Sequence, residues 1–83
     1  MKIIMYGAVA CPDCAMAAEK LTAANVDLDF RDITKDLKNL KEFLSYRDSD
    51  DMFAPVIKAG EIGIPFLILE DQTRTFETDF LTL

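Results

Sequence analysis

The chain has 83 residues, and 51% of them are hydrophobic, so residues 1–83 suffice for a single domain with a packed core. The formal net charge of −6 argues against a nucleic-acid partner, because that affinity comes mainly from Lys and Arg neutralising phosphates. The absence of His excludes His-based acid–base catalysis and His metal ligands. No apolar run approaches the roughly 20 residues that span a bilayer, so no membrane partner is expected.

The N-terminus imitates a secretion signal. Lys2 precedes an apolar stretch, and Ala8–Ala10 places small residues just before Cys11, as at a cleavage site. However, the apolar stretch is short and Gly7 interrupts it, and cleavage would remove the most strand-like segment of the chain. We therefore expect a cytoplasmic protein.

The first half of the chain predicts a strand, a helix and a second strand. Lys2–Tyr6 is a short apolar run that is typical of a strand buried on both faces. Good helix formers fill Pro12–Ala24, with proline at the first helical position and Asn25 as terminator. Val26–Ile33 alternates apolar and polar residues, which predicts a half-buried strand at or near a sheet edge.

A second helix is expected from a cap at Thr34 to about Tyr46. Its buried face would consist of four apolar residues: Leu37, Leu40, Phe43 and Leu44. After a break at residues 48–51, a short helical turn is predicted over Phe53–Ala59, closed by Gly60. Phe53 itself is expected in the core. The alternative is that its side chain covers the functional site.

The last third predicts two strands. Ile64–Leu69 indicates a buried strand with Pro65 at its first residue, and Arg74–Phe76 a short returning strand. Glu77–Leu83 leaves room only for a frayed helical turn. The fold class is therefore α/β, a four-stranded mixed sheet in β-α-β-α-β-β order, with helices on both faces and a truncated C-terminal helix. The first two strands should be parallel and the last two antiparallel.

Cys11 and Cys14 are the only cysteines, and their spacing admits several functions. As a structural disulfide they would close a very small loop, which contributes little stability. A structural zinc site needs four ligands. The chain offers two thiols and no imidazole, so a metal would require two chains, Asp13 or small-molecule thiols.

The redox interpretation fits the position of the pair best. Cys11 lies at the junction of a strand and a helix, where backbone N–H groups and the helix dipole favour a thiolate. Cys14 follows one turn later and should be more shielded. Cys11 would attack a disulfide and Cys14 would resolve the mixed disulfide.

Asp13 lies between these cysteines, and two interpretations of it stay open. Its carboxylate stabilises the helix start but would oppose a second negative charge on Cys11. Alternatively, Asp13 is only a good first-turn residue that points into solvent.

Elsewhere, Met5 and Met16 are expected to pack in the core.

With Cys11-Pro12-Asp13-Cys14 between a strand and a helix, and Gly63-Ile64-Pro65 opening a later strand, the chain resembles a glutaredoxin of the thioredoxin superfamily. More specifically, it is similar to short glutaredoxin-related proteins of bacteria, over nearly its whole length. The resemblance implies a thioredoxin fold and a cis Ile64–Pro65 bond lying against the cysteines. It also implies that the backbone of Ile64 pairs with bound glutathione or peptide.

Some positions depart from the family pattern. Asp13 replaces the usual Tyr, and no Lys precedes Cys11 closely. Phe76 and Glu77 replace a glycine pair, whereas Thr78 and Asp79 match the residues that follow it and could hold the γ-glutamyl end of glutathione. Three cations are candidates for its glycyl carboxylate: Lys35, Arg47 and Lys58.

These observations lead to one main hypothesis and two alternatives. The main one is a monomeric dithiol–disulfide oxidoreductase that reduces protein disulfides or glutathione mixed disulfides. It would need no tightly bound cofactor and no metal, with glutathione or a reductase supplying electrons. The first alternative is a binding module in which Cys11 of two chains holds an iron–sulfur cluster or zinc, with or without glutathione. The second is a partner domain in which the cysteines are incidental.

Overall fold

The computed structural model describes residues 1–82 and has the predicted order of elements. The strands are β1 (Lys2–Gly7), β2 (Asp27–Asp32), β3 (Phe66–Ile68) and β4 (Arg74–Thr75). The helices are α1 (Pro12–Ala23), α2 (Leu37–Arg47) and α3 (Ala54–Lys58), with short 3₁₀ turns at Asp51–Phe53 and Asp79–Thr82.

The strands form one mixed sheet in the order β2-β1-β3-β4. β1 pairs in parallel with β2, with Ile3 opposite Leu28. It pairs antiparallel with β3 on its other side, with Met5 opposite Leu67, and β4 continues antiparallel to β3. The α/β class, the mixed sheet and the edge position of β2 are therefore confirmed.

The two faces of the sheet carry two separate cores, because successive residues of a strand point to opposite faces. One cluster lies on the α2 side and contains Tyr6, Ile33, Phe43, Phe53, Phe66 and Ile68. The other lies on the α1 side and contains Ile3, Met5, Ala17, Leu21 and Leu67. β1 contributes to both clusters, which confirms the prediction that it is buried on both faces.

The start of α2 differs from the prediction. Asp36, not Thr34, is the N-cap, and its carboxylate accepts a hydrogen bond from the Lys38 N–H. Thr34 is held in the preceding turn instead, where its N–H and hydroxyl donate to Asp32 over 2.8 and 2.6 Å. The later start also turns Leu37 outward, since that side chain is 64% exposed.

The segment before β3 was predicted as strand but is mainly loop. β3 begins only at Phe66, so Ile64 and Pro65 precede it. The helical turn before this loop starts as a 3₁₀ turn at Asp51. Phe53 ends that turn and is fully buried, which confirms its place in the core.

At the C-terminus, the predicted short turn is the 3₁₀ turn Asp79–Thr82, and Leu83 lies outside the described residues. Over residues 1–82, no helix is both long enough and apolar enough to cross a membrane.

Phe66 is the best test of the α2-side core, because its ring meets Phe53 at 4.9 Å and Tyr46 at 5.5 Å between centroids. Phe66→Ala should lower the free energy of unfolding by about 3–5 kcal/mol, and Phe66→Leu by less, because leucine leaves a smaller cavity. Urea denaturation of each variant measures the loss. The control Leu37→Ala removes an exposed side chain and should cost less than about 0.5 kcal/mol. A Phe66→Ala loss no larger than that of the control would contradict the assignment.

Candidate active site

Cys11 occupies the N-cap of α1 and is partly exposed. The preceding loop ends in extended backbone at Cys11, with φ −89° and ψ 116°, as is usual for an N-cap, and Pro12 takes the first helical position. The backbone N–H of Cys14 donates to the Cys11 Sγ over 3.4 Å. This hydrogen bond and the helix dipole both stabilise negative charge on the sulfur.

Cys14 has a very different environment, although both cysteines are unbridged thiols. Its side chain has 0% exposure. A Cβ on Gly7 would lie 3.0 Å from the Cys14 Sγ, so the glycine provides the space for this sulfur. Burial, and next the hydrogen bond with Cys11, raise the pKa of Cys14 to about 12. At neutral pH, Cys14 is therefore a shielded thiol below an accessible Cys11.

The loop before β3 contains a cis peptide bond between Ile64 and Pro65, and both residues line the same cavity as Cys11. Arg47 holds this loop from α2: its Nε donates to the Ile62 carbonyl over 2.8 Å, and its Nη2 donates to the Glu61 carbonyl over 2.7 Å. Arg47 was one of the three candidate cations for the glycyl carboxylate of glutathione. In the structure, its guanidinium group instead fixes the loop through these two hydrogen bonds.

A cavity of about 740 Å³ opens beside Cys11, between α1, this loop and the segment after β4. Five of the residues predicted for the site line it: Cys11, Asp13, Ile64, Pro65 and Thr78. Residues 11, 64 and 78 are distant in the chain and meet here because β1 and β3 are neighbours in the sheet.

The other predicted residues lie outside this lining. Pro12 and Cys14 belong to the motif but do not line the cavity, and Asp79 lies just beyond Thr78. Among the described residues, neither Lys35 nor Lys58 reaches the cavity wall.

The sequence did not indicate several of the lining residues, and two of them lie on α1. Lys20 is the cavity's one basic residue within the described part of the chain. Met16 was expected in the core, but it is 57% exposed and lines the cavity. Asp13, Met16, Ala17 and Lys20 follow the i, i+3, i+4, i+7 spacing of one helix face, which is the signal that could have identified them.

Asp32, at the end of β2, was also missed, and it anchors the loop that leads to Cys11. Its carboxylate accepts hydrogen bonds from the N–H of Val9, over 3.2 Å, and from Thr34. The Thr34 hydroxyl in particular holds the pKa of Asp32 below its ordinary value. Asp32 therefore connects the β2 edge to the segment that places the nucleophilic sulfur.

The Asp32 contacts predict a specific pH dependence of stability. A carboxyl whose folded pKa is depressed stabilises the protein above its unfolded pKa of about 3.9, and this stabilisation disappears as the pH falls through the folded value. Asp32→Asn should therefore be less stable than wild type at neutral pH, and the difference should shrink in acid. Urea unfolding between about pH 7 and pH 3 measures this difference. Asp27→Asn, at the other end of β2, is the control, and a constant Asp32→Asn difference across the range would refute the prediction.

Gly63 gives a second prediction, because it combines a φ of +98° with close packing. A Cβ at Gly63 would lie 2.8 Å from the Phe53 ring, whereas one at Gly60, with φ +74°, would meet nothing within 4 Å. Gly60→Ala should thus cost only the backbone strain, about 1–2 kcal/mol. Gly63→Ala should cost at least about 1 kcal/mol more, because the ring must also move. Equal losses in thermal or urea unfolding would show that the contact is not a constraint.

Comparison with known proteins identifies the family. The glutaredoxin family model matches residues 3–60 of the chain. An uncharacterized protein of Haemophilus influenzae is 40% identical over 68 residues, which cover 82% of this chain and 79% of that protein. A crystal structure of a mutant of the thioredoxin-like protein BC3987 aligns with a TM-score of 0.66 at 22% identity, covering 96% of this chain and 93% of that one. The fold is therefore thioredoxin-like, and the chain belongs to the glutaredoxin family.

Proposed function

We propose that this protein is a thiol–disulfide oxidoreductase in which Cys11 is the nucleophile and Cys14 the resolving thiol. The observation that supports this proposal most is that the two cysteine sulfurs differ in exposure and in hydrogen bonding. Cys11 is accessible beside a cavity and accepts a backbone hydrogen bond, whereas Cys14 is buried and its pKa is raised to about 12. Membership of the glutaredoxin family supports the same chemistry.

The first step is attack on the substrate by the exposed sulfur. The Cys11 thiolate forms a bond to one sulfur of a substrate disulfide, the S–S bond of the substrate breaks, and the departing thiolate takes up a proton. Because the raised pKa keeps Cys14 a thiol, the buried sulfur does not compete for the substrate.

The second step releases the substrate. Cys14 gives up its proton and attacks the Cys11 Sγ, which forms the Cys11–Cys14 disulfide and expels the second substrate thiol. The substrate gains two electrons and the protein loses two. Glutathione or a reductase then restores the dithiol in this proposal, and no tightly bound cofactor or metal takes part.

Ile64 and Pro65 are proposed as the platform for the substrate. Within residues 1–82, the backbone groups of Ile64 make no hydrogen bond, although the residue lines the cavity beside Cys11. An extended substrate segment can supply the partners that these groups lack, as in strand addition. We assign Thr78 and Asp79 to the binding of the γ-glutamyl end of glutathione. The proposed protein is a cytoplasmic monomer. Its substrates are protein disulfides or glutathione mixed disulfides.

Substitution of each cysteine separates the two roles. Cys11→Ser should reduce disulfide-reductase activity to the uncatalysed rate, because no accessible nucleophile remains. Cys14→Ser should still react but should accumulate a covalent mixed disulfide on Cys11, which intact-mass spectrometry detects. The assay supplies glutathione in one series and a thioredoxin reductase in the other, so that it also identifies the electron donor.

Circular dichroism of both variants controls for folding. Wild-type activity in folded Cys11→Ser would refute the proposal and favour a partner domain with incidental cysteines. Stoichiometric iron with visible absorbance, in a dimer that chelation dissociates, would instead establish the cluster-binding alternative.

A further inference from the structure

The cavity beside Cys11 has an excess of negative charge in its walls. Among the described residues that line it, Asp13, Glu61 and Glu77 are acidic and only Lys20 is basic. All four residues are exposed, so their charges lie in solvent at or near the cavity. The net charge of the whole chain, −6, has the same sign. A cleft lined mainly by one sign of charge raises the local concentration of molecules with the opposite sign.

The arginines do not cancel this excess within the cavity. Arg47 donates to the carbonyls of Glu61 and Ile62 and is not part of the lining. Arg31 and Arg74 form ion pairs of 2.7–2.9 Å with acidic residues that are not part of the cavity lining. The three arginines therefore do not neutralise the excess negative charge of the cavity lining.

Apolar side chains lie between the acidic residues. Met16 and Ile62 are 57% and 56% exposed, and both line the cavity together with Val56 and Phe76. Large apolar side chains at this exposure, one on α1 and one on the loop before β3, offer contact surface to a ligand. Lys and Arg suit such a site, since their aliphatic stems lie on apolar surface while their charged ends reach acidic groups.

Building on the proposed function, we infer that the cavity selects disulfides carried by basic polypeptide segments, in which Lys or Arg flanks the cysteine. Segments in which Asp or Glu flanks the cysteine are disfavoured, because like charges repel. The acidic walls attract the basic segment, and Met16 and Ile62 contact the stems of its side chains. The chemistry is unchanged: the Cys11–Cys14 dithiol gives two electrons, the peptide disulfide becomes two thiols, and the protein becomes the disulfide.

The test uses symmetric peptide disulfides that differ only in the residues flanking the cysteine, which are Lys, Gln or Glu. Fully reduced protein is mixed with each peptide, and the second-order rate constant is taken from acid-quenched samples. Flanking charges also change the intrinsic reactivity of a disulfide, so each rate constant is divided by that for dithiothreitol, an uncharged dithiol. The Lys peptide should react about tenfold faster than the Glu peptide at low ionic strength, with the Gln peptide between them. The preference should nearly disappear at about 1 M salt, where the Debye length is only about 3 Å.

A matched pair of variants locates the effect in the cavity. Glu77→Gln removes one lining charge and should reduce the Lys-to-Glu preference about twofold to threefold. Glu19→Gln removes one exposed charge from α1 outside the lining, and the preference should stay as in wild type.

The outcomes separate the inference from the proposed function. Equal normalised rates for the three peptides would overturn the charge selection and leave the oxidoreductase standing. An equal loss of preference in Glu19→Gln and Glu77→Gln would overturn the assignment to the cavity. Failure of all three peptides to react with the reduced protein would overturn the proposed function, and the inference with it.

Discussion

The ring of Phe53 is the contact on which both the core and the cavity depend. It packs edge-on against Phe66 of β3 at 4.9 Å and against Phe76 at 5.0 Å, and it also meets Phe43 of α2. The same ring leaves no room for a side chain at Gly63. Because interiors are close-packed, a ring in this position determines where the neighbouring backbone can run. The loop that carries Ile64 and Pro65, and the cavity wall at Phe76, are thus placed by one buried side chain.

The difference between the two cysteines follows from where the helix begins relative to the sheet. α1 starts at the edge of the core, so its N-cap sulfur reaches solvent while the sulfur one turn later faces Gly7 of β1. Two thiols separated by two residues therefore have different environments: Cys11 accepts a backbone hydrogen bond at a partly exposed position, whereas burial raises the pKa of Cys14. Asp32, through Val9, fixes the loop that holds Cys11 in this position.

Asp13 takes on a second significance in the folded protein. It is exposed and lines the same cavity as Cys11, so its negative charge belongs to the surroundings of the nucleophilic sulfur. With Glu61 and Glu77 it makes that space acidic. The residue that departs most clearly from the family motif is therefore also part of the surface that distinguishes one substrate charge from another.

The sequence by itself determined the order of the elements, the parallel and antiparallel pairing of the strands and the position of the cysteine pair at a helix start. These follow from local signals, namely hydrophobic periodicity, proline at the first helical position and the CxxC spacing. Local signals were misleading where a side chain forms hydrogen bonds with a different partner from the expected one. Thr34 is held by Asp32 and does not cap α2, and Arg47 binds loop carbonyls.

Only the tertiary structure decided which charges meet around Cys11. Glu61 and Glu77 have no distinguishing pattern in the chain, and they meet Lys20 because α1, the loop before β3 and the segment after β4 converge at one end of the sheet. Sequence spacing reports which residues share a helix face or a strand face. It does not report which faces of different elements point at one another, since that is determined by the packing of the whole core.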